Sequence, residues 1–300
     1  LLAMGLARMG QLIRFIPVTV VIGFTNGIAV VIFLAQLKDF FGLQIDNLPA
    51  EFFLRIKTLA ASAHTVDLPT LGLASACFVF LLSYHKLAQK VAILRRAPGP
   101  LAVLVVGTLA SFLFELPVET IGSRFNGIPQ EMPDFGLPAL SIHDLGKLIS
   151  PAITIALLGA IESLLSARVA DSQIDDRHDP NQELVAQGLA NIAAPLFGRF
   201  AATGAIARTA ANIRNGGNGP LAGVIHALTL LAIILALAPL AAYIPLCTLA
   251  AILFVVAYNM SEIHHFIHLA RTSSRADVGV LVVTFLLTVF SDLVVAVNVG

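Results

Sequence analysis

The sequence predicts an all-α membrane protein, and three observations carry that reading. Of 300 residues, 57% are hydrophobic and only 12% charged, against about 45–50% and about 25% in soluble domains. Too few charges exist to cover a water-facing surface. Apolar runs of membrane-spanning length recur along the whole chain. Glu162 lies inside one of them, residues 151–170, where an ionised carboxylate costs roughly 2.5–3.5 kcal/mol on insertion scales. Such groups persist where they face a polar cavity, an ion or a proton path. The formal net charge is zero and no basic tract points to nucleic acid. No secretory signal opens the chain. It starts and stops within apolar stretches, as an internal fragment of a longer protein would.

The apolar runs place a partial helix at 1–13 and spans near 17–37, 68–84, 98–116, 147–170 and 182–197. A broken region follows at 200–214, then spans near 220–238, 242–259 and 276–291, and the start of another after Asp292. Residues 51–63 and 262–270 are too short and too polar to cross, and read as amphipathic helices at the interface. Loop charges orient the spans. Residues 85–97 hold Lys86, Lys90, Arg95 and Arg96 without an acid. Arg8 and Arg14 precede the span at 17, and Arg271 and Arg275 precede that at 276. Residues 115–147 instead carry Glu115, Glu119, Glu131, Asp134 and Asp144 against Arg124 and Lys147. The basic segments fall on one side of the membrane and are cytoplasmic by the positive-inside rule. The loop 171–180 is cytoplasmic too, despite its acids. Phe15-Ile16-Pro17 and Tyr243-Ile244-Pro245 open two spans of opposite direction, as inverted repeats require.

Residues 198–218 are too polar for a full crossing. The reading is an extended stretch near 201–204 followed by a half-helix over 205–214. A helix that begins at mid-membrane aims free backbone N–H groups and the positive end of its dipole at the bilayer centre, an arrangement that attracts anions. Arg208, one turn in, adds a full charge. The alternative is an external loop with a short helix and Arg208 as an interfacial anchor. Glu162 weighs toward the first reading, because each feature explains the other.

Other polar residues have plainer roles. Asn26 sits between Gly23 and Gly27, a G-x-x-x-G face that favours close helix packing over a pore. Cys77 and Cys247 read as small buried hydrophobes. His264 and His268 are four apart, but on an interfacial helix beside Arg271 rather than in a metal cage. No metal or cofactor is implied, and no P-loop supports an ATP-driven pump. The leading reading is a secondary transporter of a small anion with Glu162 carrying a proton, and an uncoupled anion channel on the same fold is an alternative. A membrane-embedded enzyme with Glu162 as base is another, although Ser166 lacks a His partner.

Four segments carry a family resemblance: residues 14–43, 159–172 (GAIESLLSARVADS), 181–198 (NQELVAQGLANIAAPLFG) and 202–217 (ATGAIARTAANIRNGG), with GIPQ at 127–130 and NMSE at 259–262. In this order they resemble the SulP anion-transporter family over essentially the whole chain. The resemblance implies fourteen membrane segments in two inverted repeats of seven, a core domain moving against a gate domain, and a substrate held between two half-helices. On that scheme 1–16 is the end of segment 4 (core) and 17–116 holds segments 5–7 (gate). An external loop covers 117–146, segments 8–11 (core) lie at 147–238, and 239–300 runs from segment 12 to the start of 14 (gate). Segments 1–3, with the first half-helix, and any cytoplasmic STAS domain lie outside it.

Carried over by residue, the resemblance assigns Glu162 and Ser166 to the coupling ion or proton. It assigns Gly204, Ala205, Ile206 and Arg208 to the anion. Ala207 departs from members that carry Ser there. Sodium-coupled bicarbonate relatives carry Asp where Glu162 stands, so the longer carboxylate favours a proton over sodium. The GAIESLL segment and the segment at 202–217 are most similar to bacterial members associated with dicarboxylate uptake, which implies a C4-dicarboxylate such as succinate, with sulfate and bicarbonate open. The expected state is a homodimer in the bacterial inner membrane.

Overall fold

The computed structural model describes residues 1–11, 17–90, 98–128, 130, 134–137, 142–214, 216–217 and 219–291. Several expectations lie outside the described residues: Arg14, Phe15, Ile16, Arg95, Arg96, Pro129, Glu131 and the span after Asp292. In chain order the helices are α1 (Leu2–Leu6), α2 (Val18–Phe41), α3 (Phe52–Ala61), α4 (Leu68–Lys90), α5 (Gly99–Leu113), α6 (Ile121–Phe125) and α7 (Ile142–Ile174). They continue as α8 (Pro180–Leu196), α9 (Ile206–Arg214), α10 (Leu221–Ala241), α11 (Leu246–Met260), α12 (Ile263–Thr272) and α13 (Arg275–Phe290). Every crossing expected between residues 17 and 291 coincides with a helix, and α3 and α12 are the two amphipathic segments.

Among the described residues four stretches are long and apolar enough to cross a membrane: Val18–Phe41, Gly146–Ile174, Leu221–Ala241 and Leu246–Thr272. Leu68–Tyr84 and Gly99–Leu113 are apolar but shorter. On α10, Leu221, Leu228 and Leu240 are exposed. Such a surface is a liability in water and natural against lipid.

The described residues fall into two units, one within Leu1–Val18 and Glu131–Leu231, the other within Thr19–Gln130 and Ala232–Gly300. In the first, α1 packs on α8, and α7 packs on α8 and α9. Glycine makes the α1–α8 contact. A Cβ on Gly5 would stand 2.8 Å from the Asn181 carbonyl oxygen and from Val185, and one on Gly188 would collide with the backbone of Leu2. The helix expected over 1–13 is cut short for the same reason. After Leu6 the chain turns at Arg8, which has φ 59°, and Gly10 N–H donates to Asn181 Oδ1 at 3.1 Å. Asp179 starts α8 as its N-cap, accepting from Asn181 and Gln182 N–H at 2.8 and 3.2 Å, with Pro180 at the first turn. Asp171 pairs with His178 Nδ1 at 2.7 Å, so acids of the 171–180 loop serve local structure.

The second unit is built on α4, α5 and α11. Its core holds Phe40, Leu73, Ala74, Cys77, Val103, Cys247, Ala250, Ala251 and Phe254. The ring of Phe254 stacks on Phe33 and Phe40, with centroids 4.5 and 4.6 Å apart. Gly23 and Gly27 of α2 meet α13: a Cβ on Gly27 would stand 2.5 Å from Thr288 Cβ. Asn26 between them is buried and accepts from Ser261 Oγ at 3.0 Å, so it joins helices.

α5 and α11 stop short of the spans expected at 98–116 and 242–259. Backbone groups around the start of α6 and the start of α11 bond to one another instead. Ile121 and Gly122 N–H donate to the carbonyls of Ile244 and Ala242 at 3.0 and 2.8 Å, and Leu246 N–H donates to Glu119 O at 2.9 Å. Thr120 and Pro245 form an antiparallel bridge. Mutual pairing satisfies the backbone groups that a longer helix would have satisfied internally. Pro17 and Pro245 thus both stand directly before a helix, α2 and α11.

Beside this pair, Arg124 ties three segments together. Its Nη1 lies 2.7 Å from Asp39 Oδ1 at the end of α2, and its Nε lies 3.2 Å from Glu119 Oε1 while Nη2 pairs with Oε2. These groups border a cavity of about 670 Å³ with Lys38, Asp46 and Asp67.

Two predictions follow from this packing. Gly27→Val should cost about 1–3 kcal/mol through overpacking, read as a lower melting temperature in detergent. Gly72→Ala, within α4 and with nothing within 4 Å of a new Cβ, should not lower it, since Ala favours the helix. The second concerns pH. The hydrogen bond from Arg124 holds the Glu119 carboxyl below its ordinary value of 4.5. A depressed carboxylate contributes stability above the ordinary value, and loses it as pH falls through the lower folded value. The wild type should therefore melt above Arg124→Ala at neutral pH, and the gap should close under acid well below pH 4.5.

Candidate functional site

Residues 201–205 carry no helix, so their backbone groups need partners that regular structure would otherwise supply. Side chains of α7 and α8 provide them. On α7, Gly159, Glu162, Ser163 and Ser166 share one face by their i, i+3, i+4, i+7 spacing. Thr203 Oγ1 donates to the Gly159 carbonyl at 2.9 Å and lies 2.8 Å from Ser163 Oγ. Gly204 N–H donates to Ser163 Oγ at 3.2 Å. One turn on, Ser166 Oγ meets Thr209 Oγ1 at 2.7 Å. From α8, Asn191 bonds both backbone groups of Ala202 at 2.8 Å.

The break lies against the middle of an apolar helix of membrane-spanning length. The midpoint of the apolar stretch Gly146–Ile174 is residue 160, and Ser163 lies three residues beyond it. α9 has 9 residues, or about 13.5 Å at 1.5 Å per residue, close to half of a bilayer core of about 30 Å. Its first intrahelical bond runs from Thr209 N–H to the Ala205 carbonyl at 2.9 Å. No acceptor among the described residues meets the amides of Ala205, Ile206 and Arg208, which form the positive end of the helix. The Gly204 amide, by contrast, is engaged by Ser163. Arg208 is exposed and forms no ion pair among the described residues. Glu162 is half-buried, and its carboxyl makes no hydrogen bond or ion pair among them. Among the described residues no group of three or more His, Cys, Asp or Glu could hold a metal ion.

The start of α9 is thus open and the Glu162 carboxylate uncommitted among the described residues. Comparison with known proteins gives the family. Residues 1–284 match the profile of the Sulfate permease family. The chain belongs to this family. It is 41% identical over its full length to YvdB of Bacillus subtilis strain 168, a protein named for sulfate transport, and covers 56% of it. It is 33% identical over its full length to the bicarbonate transporter BicA of Synechocystis and covers 51% of that protein. The chain thus spans about half the length of these relatives. The solved transmembrane domain of a cyanobacterial BicA superposes with a TM-score of 0.84 at 31% identity, covering all of this chain and 73% of that one. SLC26A9, at 22% identity and a TM-score of 0.82 over all of this chain and 48% of its own, shares the fold.

Membership settles that the chain is a multi-pass membrane protein of a transporter family, not an enzyme, so the reading of Glu162 as a catalytic base falls away. The structure brings Ser166 to Thr209 and Gly204 to Ser163, two separate hydrogen-bonded contacts between α7 and the start of α9. Sequence reasoning missed Ser163, Thr203, Thr209 and Asn191. Ser163 could have been found from its spacing to Ser166, and Asn191 as an amide within the apolar run 182–197.

Ser163→Ala removes the acceptor of the Gly204 amide. It should cost about 1–3 kcal/mol for the unsatisfied group, seen as a lower melting temperature. Ser172→Ala on the exposed end of α7 should change stability by less than about 0.5 kcal/mol.

Proposed function

We propose that the protein is a secondary active transporter that moves a small oxyanion by alternating access, with Glu162 carrying a coupled proton. The observation that carries this reading is the start of α9 near the membrane centre, its free amides beside the unpartnered Glu162. The anion binds at the amides of Ala205 and Ile206 under the field of the helix dipole and of Arg208. Ser166 and Gly204 keep the helix end in place through Thr209 and Ser163. The names of the relatives favour sulfate or bicarbonate, and the motif resemblance keeps a C4-dicarboxylate as a third substrate.

The unit holding α1 and α7–α9 acts as the moving core and the unit holding α2–α6 and α11–α13 as the gate, because the site-forming residues all belong to the first. Protonation neutralises Glu162 as the core moves, so an uncompensated charge need not cross hydrocarbon. The working form is a homodimer in the bacterial inner membrane.

The test is uptake of labelled sulfate, bicarbonate and succinate into proteoliposomes holding the protein expressed from its complete coding sequence, with and without an inward proton gradient. One anion should be accumulated faster under the gradient, and Glu162→Gln should still bind it while losing that acceleration. Acceleration by sodium instead would assign a sodium symporter. Counter-substrate trapping alone would assign an exchanger, and currents that only follow voltage a channel.

A further inference from the structure

Asn191 has a geometry that helix packing does not require. Its Nδ2 donates to the carbonyls of Ala202 and Gln187, at 2.8 and 2.9 Å, while its Oδ1 accepts from Ala202 N–H at 2.8 Å. The side-chain amide is a peptide group in miniature, so it pairs with Ala202 as a neighbouring β-strand would. The three bonds also fix which end is oxygen, since two carbonyls need the NH₂ and one N–H needs the oxygen. Ser cannot reach both groups of Ala202, Asp lacks the donor, and Gln places the same amide one methylene further out. Ala202 is the last residue before the Thr203–Gly204 corner that Ser163 holds, and α9 begins two residues after that corner.

We propose that Asn191 is a positioning residue. Its amide sets the depth at which the extended segment ends and α9 begins, and thereby where the amides of Ala205 and Ile206 stand for the anion. This rests on the proposed transport function for its kinetic consequence, but not for its structural one. Without Asn191 the segment samples other paths, and only the fraction with a correctly placed helix end binds. Apparent affinity falls in proportion to that fraction. Two net hydrogen bonds correspond to about a tenfold loss, with the maximal rate preserved because the site is intact once occupied.

The test pairs two readouts on the complete protein. In hydrogen–deuterium exchange, Asn191→Ala should speed exchange at residues 201–204 by about tenfold, and Asn181→Ala, which removes a bond on the same helix to Gly10, should not. In sulfate or bicarbonate uptake, Asn191→Ala should raise KM about tenfold with little change in maximal rate. Asn191→Gln keeps the polarity and the fold, and should show the same rise in KM. Unchanged exchange in Asn191→Ala overturns the proposal. So does a wild-type KM in Asn191→Gln, or faster exchange with no change in KM. Wild-type protein that moves no anion would instead sink the transport reading, and leave the exchange result to decide the role of Asn191.

Discussion

Hydrocarbon offers no hydrogen bonds, so a chain that breaks its helix inside the membrane must find partners for the freed backbone groups within itself. The stretch between α8 and α9 meets that constraint in two ways. Backbone groups of Ala202 and Gly204 are taken by Asn191 and Ser163, side chains from two different helices. The amides at the start of α9 are left open. The pattern separates structure from function: the saturated groups hold the break, and the unsaturated ones are free to meet a ligand.

The surrounding helices are arranged so that this can be done at close range. Gly5, Gly10 and Gly188 bring α1 and its following turn against α8, fixing one side of the helix that carries Asn191. Ser163 and Ser166 lie on the face of α7 that packs on α9, so a hydroxyl pair stands at each of two successive turns. Glu162 shares that face but has been given no partner. Its carboxyl is thereby left uncommitted among the described residues, as the proposed proton-carrying role requires.

The second unit solves the same backbone problem at its edge. Residues 119–122 and 242–246 exchange three backbone hydrogen bonds where α6 and α11 begin. Arg124 then binds carboxylates from two other segments. Gly23 and Gly27 against α13 and Asn26 against Ser261 show the packing role that the G-x-x-x-G spacing implied.

Composition and periodicity alone determined the membrane class, the order of the crossings, the two interfacial helices and the half-helix, because each is a property of contiguous residues. Glu162 and the start of α9 were legible for the same reason: charge inside an apolar run and polarity inside a broken one are local anomalies. The tertiary structure decided what adjacency in sequence cannot express. Ser163 meets Thr203 and Gly204 across 40 and 41 positions, and Asn191 meets Ala202 around the turn between α8 and α9. Likewise the helix expected over 1–13 yields to contact with Asn181, and the start of α11 is set by backbone bonds to the distant residues 119–122. A hydrogen bond is local in space rather than in sequence, so periodicity located the break, and only the fold could show what holds it open.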